Sequence, residues 1–165
     1  MATRTPSPKA VRTDKIKGQS EWEALQQAHN AMFKVQETAL LSHGISLPQL
    51  QVLSLLARER RPLMITEFAR WMVKEPNSLT GLVDRAEAKG WVRTHGDPKD
   101  RRKRLVESTK EGVKKFEEAS AVANKAIENL FGVLTPAETK QLKAYCQKVA
   151  DAATSVSRKP GLRAR

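Results

Sequence analysis

The chain has 165 residues, with 30 Lys and Arg against 18 Asp and Glu for a formal excess of +12, 5% aromatic residues and one cysteine. That length fits one domain with appendages. A lone Cys146 forms no intrachain disulfide, no Cys and His cluster has zinc spacing, no apolar run approaches the roughly 18–20 residues of a membrane span, and residues 1–20 hold no apolar signal-peptide core. These features exclude a disulfide scaffold and a zinc finger; they lead us to expect a cytoplasmic protein with no cofactor, no metal and no membrane partner.

The charge is unevenly placed. Residues 1–20 carry +4 and residues 157–165 another +4, the ten residues 95–104 carry +3, and the remainder is near neutral at +1. A basic balance points to a polyanionic partner. Charge gathered in one short loop of the body is more telling than charge on tails.

In chain order, residues 1–20 read as a disordered basic tail, with Pro6, Pro8 and only Val11 and Ile16 as sizeable apolar side chains. From Glu21 to Ser42 the positions Trp22, Leu25, Ala28, Met32, Val35 and Ala39 recur at spacings of three and four, widened by Phe33 and Leu40. Gly44 stops this helix, Ser46 caps the next and Pro48 lies in its first turn. The second helix, Leu47 to about Glu59, buries Leu50, Val52, Leu53, Leu55 and Leu56. Arg60, Arg61 and Pro62 break it, Leu63-Met64-Ile65 is a short extended run, and Thr66 caps a short helix with Phe68, Ala69 and Met72 on its apolar face.

Pro76 opens a further helix that runs to about Lys89 and is ended by Gly90. Its inward positions are Leu79, Leu82, Val83 and Ala86, which turns Asn77, Ser78, Gly81, Asp84 and Arg85 outward. Two short helices joined by a tight turn have the geometry of a helix-turn-helix. Trp91 to His95 and Leu105 to Ser108 read as two strands of a hairpin whose tip, Gly96 to Arg104, combines turn residues with the local +3. A hairpin directly after such a helix is a wing.

Beyond it, Val113, Phe116, Ser120, Ala123, Ile127 and Leu130 form a long helical stripe capped by Thr109. Thr135-Pro136-Ala137-Glu138 opens a last helix with a capping-box spacing, and Leu142, Tyr145, Val149, Ala152 and Val156 form its seam. The C-terminal end, from about Ser155 and as a tail proper over residues 157–165, is basic and tail-like. Long single-stripe helices at both ends lack an intrachain core large enough to cover them, so pairing with a second copy is expected.

The segment from about Leu47 to Lys115 resembles the DNA-binding core of the MarR-type winged helix-turn-helix regulators. The matching pieces are Thr66-Glu67-Phe68-Ala69-Arg70, Leu79-Thr80-Gly81-Leu82-Val83-Asp84-Arg85, Glu87-Ala88-Lys89-Gly90-Trp91-Val92, and the wing Asp97-Pro98-Lys99-Asp100-Arg101-Arg102 followed by Leu105-Val106 and Thr109-Lys110-Glu111-Gly112. The resemblance implies a mainly α fold with a small β-hairpin wing over residues 21–156. A winged helix-turn-helix at about 47–109 would lie between dimerisation helices at about 21–45 and 110–156. Many relatives carry Gly where this chain has Val73, and a basic residue where it has Gly81.

A recognition helix enters the major groove with its N-terminal turn. Asn77, Ser78 and Thr80 are the candidates there: Asn can pair bidentately with adenine and Ser can serve base or phosphate. Asn77 could equally be a cap and Thr80 could bond back to its own helix. Gly81 lies on the same face, and Arg85 is better placed for a phosphate. In the wing, Lys99, Asp100, Arg101, Arg102 and Lys103 are candidates, the spacing of Asp100 and Arg102 suiting a carboxylate that holds a guanidinium. The resemblance implies that an arginine of this loop, Arg102 first and Arg101 second, reaches the minor groove, where negative potential concentrates.

In similar proteins small, often aromatic ligands bind between the dimer helices and the DNA-binding lobe. Here Trp22, His29, Met32, Phe33, Met64 and Trp71 could line that junction, though each also reads as ordinary core. Cys146 reads as an inert, partly buried thiol rather than a sensor. His29, His43 and His95 fall on different elements, with no nucleophile spacing and no phosphate loop, so no enzymatic activity is expected. The expected function is a sequence-specific regulator, a homodimeric repressor of a nearby operon bound to a palindromic operator in double-stranded DNA and released by a small aromatic effector. The alternative is a sequence-tolerant architectural DNA-binding protein driven by its basic tails.

Overall fold

Local signals in the sequence place most of the element boundaries. The computed structural model describes residues 17–97, 100 and 103–157; the tail expectations for residues 1–16 and 158–165 lie outside them. Helix α1 spans Gln19–Leu40 and runs into a 3-10 turn, Leu41–His43. Helix α2, Leu47–Glu59, begins at a reciprocal box in which Gln49 N–H donates to Ser46 Oγ (3.4 Å) and Ser46 N–H donates to Gln49 Oε1 (3.1 Å). Helix α1 thus takes in Gln19 and Ser20, and the last helix takes in Ser157.

Strand β1 is the pair Leu63–Met64, and helix α3 follows at once as Ile65–Met72. Thr66 is therefore not the cap. Met64 occupies that position, its extended backbone held by strand pairing, and its N–H donates to Glu67 Oε2 at 2.9 Å. Arg61 grips the same carboxylate, with Nη2 to Oε1 at 2.6 Å. That guanidinium, with the Met64 N–H, holds the Glu67 carboxyl below the usual carboxylate range.

Helix α4 spans Pro76–Ala88, strand β2 Val92–Gly96 and strand β3 Arg104–Ser108. The two-stranded hairpin expected from sequence is part of a three-stranded antiparallel sheet of order β1-β3-β2, in which Leu63 pairs with Val106 and Thr94 with Val106 on its other side. The run Leu63-Met64 is too short to show period-two alternation, and its partner lies some 40 residues downstream.

The core lies between this sheet and helices α2 to α4. Leu53, Leu63, Phe68, Leu79, Val83, Val92 and Val106 are all fully buried, each contributing about 1.5–3 kcal/mol of burial. Helix α5, Lys110–Phe131, starts at Thr109, whose Oγ1 accepts from Gly112 N–H at 3.0 Å. Its inward line is Gly112, Phe116, Ala119 and Ala123. The expected stripe was one residue out at Ser120, and Val113 and Ile127 are exposed; small residues on the true inward face give a weak hydrophobic signal.

Helix α6, Pro136–Ser157, opens on the expected box, with Thr135 N–H donating to Glu138 Oε2 at 2.8 Å and Glu138 N–H to Thr135 Oγ1 at 3.3 Å. It packs broadly against no other described element, whereas α1 packs on α5 and α2. Trp22, Leu25, Phe33 and Val35 on α1, and Tyr145, Val149 and Val156 on α6, are consequently exposed in the single chain. Cys146 is exposed too, not partly buried, because the seam it flanks has no cover among the described residues.

Candidate nucleic-acid interface

Helix α4 is anchored by one face and offers the other. Leu79, Leu82, Val83 and Ala86 are buried, while Asn77, Ser78, Thr80, Asp84 and Arg85 are exposed. Glu75, in extended backbone before Pro76, is the N-cap residue. Asn77 and Ser78 thus stand in the first helical turn rather than at the cap, beside the N–H groups that a helix start leaves open. Thr80 does bond back, its Oγ1 donating to Pro76 O at 3.4 Å. At Gly81 an added Cβ would meet only Arg85 Nη1, at 3.5 Å. The missing side chain leaves room for the Arg85 guanidinium to lie along the helix.

The turn between α3 and α4 passes through Val73, at φ 52° and 90% exposed. A β-branched residue is strained in that left-handed conformation. The departure from Gly at this position therefore has a structural cost that the sequence alone left unquantified.

In the wing, Asp97 N–H donates to Lys103 O (2.9 Å) and Lys103 N–H to Asp100 O (2.8 Å), closing the hairpin beyond the last strand pair, Gly96 with Arg104. Lys103 Nζ stands 3.6 Å from Asp100. Lys99, Arg101 and Arg102 lie outside the described residues, and with them the expected pairing of Asp100 with Arg102. On one face of the hairpin Glu107 meets both Arg93 and His95 Nε2, the latter at 3.6 Å.

On the other face Arg104 turns inward. Its Nη2 lies 2.7 Å from Asp84 Oδ1 and 3.0 Å from Glu87 Oε2, both on α4. Glu87 Oε1 in turn accepts from Thr94 N–H at 2.7 Å and Thr94 Oγ1 at 2.8 Å. The Thr94 hydroxyl first, then the Thr94 N–H and Arg104, hold the Glu87 carboxyl below its ordinary range. One of the five basic side chains counted toward a polyanion is thus engaged within the fold. The sequence signal was available: two acids three apart in the second half of α4, followed by a cation at the start of the returning strand.

The end of α4 and the second turn of α5 are fastened to the turn that follows α1. Lys89 Nζ donates to Gly44 O at 2.7 Å and sits 4.5 Å from the Trp91 ring centroid, while Lys115 Nζ reaches His43 O at 3.4 Å. Cations at these closing carbonyls suit the local dipole.

The residues proposed for an effector lie on α1, β1 and α3. His29 and Phe33 lie on α1 with ring centroids 6.1 Å apart, Trp22 is exposed further up the helix, and Met32 is half-buried. Met64 caps α3. Trp71 lies on α3 beneath the Arg58 guanidinium, 5.5 Å from its ring centroid. It lines an open groove of about 440 Å³ with Leu55, Arg58, Arg61, Glu67 and Arg70, and none of the α1 candidates lines that groove.

A helix-turn-helix followed by a sheet-borne hairpin, framed by two long terminal helices, defines a winged helix-turn-helix protein. A family model described as the MarR family matches residues 43–103. The transcriptional activatory protein BadR of Rhodopseudomonas palustris is 34% identical over 90 residues, 53% of this chain and 51% of that protein. The matched part thus spans about half the length of that curated relative. Among solved structures, CouR of Rhodococcus jostii bound to p-coumaroyl-CoA is 24% identical with a TM-score of 0.73, over 83% of this chain and 96% of that one. A MarR mutant of E. coli complexed with operator DNA is 22% identical with a TM-score of 0.74, over 81% and 95%. Over residues 43–103, its winged helix-turn-helix lobe, the chain is similar to the MarR family.

Proposed function

We propose that the chain is a sequence-specific regulator of transcription that binds a palindromic operator in double-stranded DNA as a homodimer, in the cytoplasm and without enzymatic activity. The observation that carries this reading is α4, rooted in the core by Leu79, Leu82, Val83 and Ala86 while Asn77, Ser78 and Arg85 stand free on its outer face beside a basic hairpin. The E. coli relative solved with operator DNA supports the same use of the fold. The bare seams of α1 and α6 support a second copy as their cover.

Repression is the proposed direction of control, since a dimer seated over a promoter obstructs polymerase. The relative named as an activatory protein sets the opposite outcome, and reporter expression that falls on deletion of the gene would establish it. A small aromatic effector is the proposed release signal. CouR holding p-coumaroyl-CoA supports it, as does the groove where Trp71 lies among three arginines. Footprinting on DNA upstream of the gene tests the reading: two protected half-sites about one helical turn apart are expected, with and without the basic tails. Near-equal affinity for unrelated duplexes, lost with the tails, would establish the architectural alternative.

A further inference from the structure

We infer that Arg104 is a positioning residue of this DNA-binding face. Held by Asp84 and Glu87, it braces the wing against α4 and makes no phosphate contact itself. The inference rests on the DNA-binding reading above. Thr94, Gly96, Arg104 and Val106 share the sheet face turned toward α4, since Thr94 pairs with Val106 and Gly96 with Arg104. Gly96, opposite Arg104, puts no side chain on that face. From there a single nitrogen, Arg104 Nη2, bridges both carboxylates at 2.7 and 3.0 Å.

Two carboxylates in the second half of α4 otherwise make poor sense. Acids near a helix C-terminus oppose the local dipole, and on a helix that approaches a polyanion they repel it. All three side chains keep a third to a half of their surface in solvent, and ion pairs so exposed add little to global stability. What they do fix is direction. Glu87 reaches both strands of the hairpin, through Thr94 on β2 and Arg104 on β3, so the wing and the recognition helix present their contacts at one set spacing.

The test compares the full-length wild-type protein with D84N/E87Q and R104Q. Each is titrated against a palindromic duplex that the wild type selects from a random pool, and against an unrelated duplex of equal length. Removing two acids from a DNA-facing helix tightens binding to every duplex if charge alone matters. Loss of a brace instead weakens binding to the selected duplex about fivefold, while affinity for the unrelated one holds or rises. Equal or tighter binding of D84N/E87Q to the selected duplex overturns the inference. For R104Q the slope of log affinity against log salt stays at the wild-type value; a fall of about 1 identifies a phosphate contact and overturns it. Amide exchange in the free protein, at Thr94, Asp97 and Lys103, accelerates in both variants, and unchanged exchange overturns the brace without reference to DNA. A wild-type protein that selects no sequence removes the DNA-binding reading, and the exchange result still decides whether the brace exists.

Discussion

Gly112 meets the main-chain carbonyl of Trp91 so closely that a Cβ there would overlap the oxygen and lie 2.8 Å from the carbonyl carbon and 2.9 Å from Ser108 Oγ. The same carbonyl accepts from Thr109 N–H at 3.1 Å, and Thr109 Oγ1 donates to Gly90 O at 2.6 Å. The first turn of α5 is thereby seated on the root of the wing. Gly112→Ala should lower the unfolding free energy by about 3 kcal/mol or more, measured by urea denaturation. A loss under about 1 kcal/mol would show that the backbone gives way without consequence.

Val73 supplies the opposite case. Its side chain is 90% exposed and its φ of 52° is unfavourable for a β-branched residue. Val73→Gly removes that strain and forfeits almost no burial, so a gain of about 0.5–1 kcal/mol is expected after the greater chain entropy of Gly is allowed for. Thermal and urea unfolding of the variant check it; destabilisation would mean that Val73 makes a contact in the assembled protein.

These two residues also show what the sequence made legible. Capping chemistry at Ser46, Thr109 and Thr135, the breaks at Pro62 and Pro76, and the inward set Leu79, Leu82, Val83 and Ala86 were all readable, because each is a local signal within four or five residues. The strand Leu63–Met64 was not, since a two-residue strand is defined only by a distant partner. The inward face of α5 was readable only in part, at Phe116 and Ala123 but not at Gly112 and Ala119, which pack closely because they are small. At the interface, Asn77 and Ser78 could be placed from the helix start, whereas the inward turn of Arg104 depends on register across the hairpin.

Contacts to DNA should separate by type. Asn77→Ala and Ser78→Ala are each expected to weaken binding to the selected operator about tenfold and to relax preference at one or two positions, with unfolding unchanged because both side chains are exposed. Arg102→Ala should greatly weaken operator binding while the dimer stays folded. Gel-shift titration at physiological salt measures both, and an Arg102 variant of wild-type affinity would remove the minor-groove role from that residue.

The seams of α1 and α6 predict an assembly defect. Tyr145 and Val149 are 59% and 54% exposed in the single chain, one turn apart on α6. Tyr145→Asp with Val149→Glu should shift the protein from dimer to monomer in light scattering and should cost operator affinity through loss of the paired half-site. An unchanged dimer would place the interface on another face.

Acid sensitivity follows from two carboxylates. The Glu67 carboxyl is held low first by Arg61, and that of Glu87 first by the Thr94 hydroxyl. Lowered values in the folded state mean that the unfolded chain binds more protons in mild acid. The stability that these groups contribute is present above the ordinary Glu value of about 4.3, and it is lost as pH falls through the folded values. Urea midpoints from pH 7 to pH 3 should therefore fall less steeply for E67Q/E87Q than for wild type. Parallel curves would assign the acid limb to other groups.

The strand order β1-β3-β2 places the last strand of the lobe in the middle of its sheet. Neither Leu63–Met64 nor Val92–Gly96 has a partner until Arg104–Ser108 exists, and Val106, fully buried, closes the core from that central position. A nascent chain therefore carries α2, α3 and α4 out of the ribosome with their sheet still open, and the lobe locks only once residue 108 has emerged. A fragment cut after residue 103 would hold the whole helix-turn-helix and still lack the strand that joins its two sides.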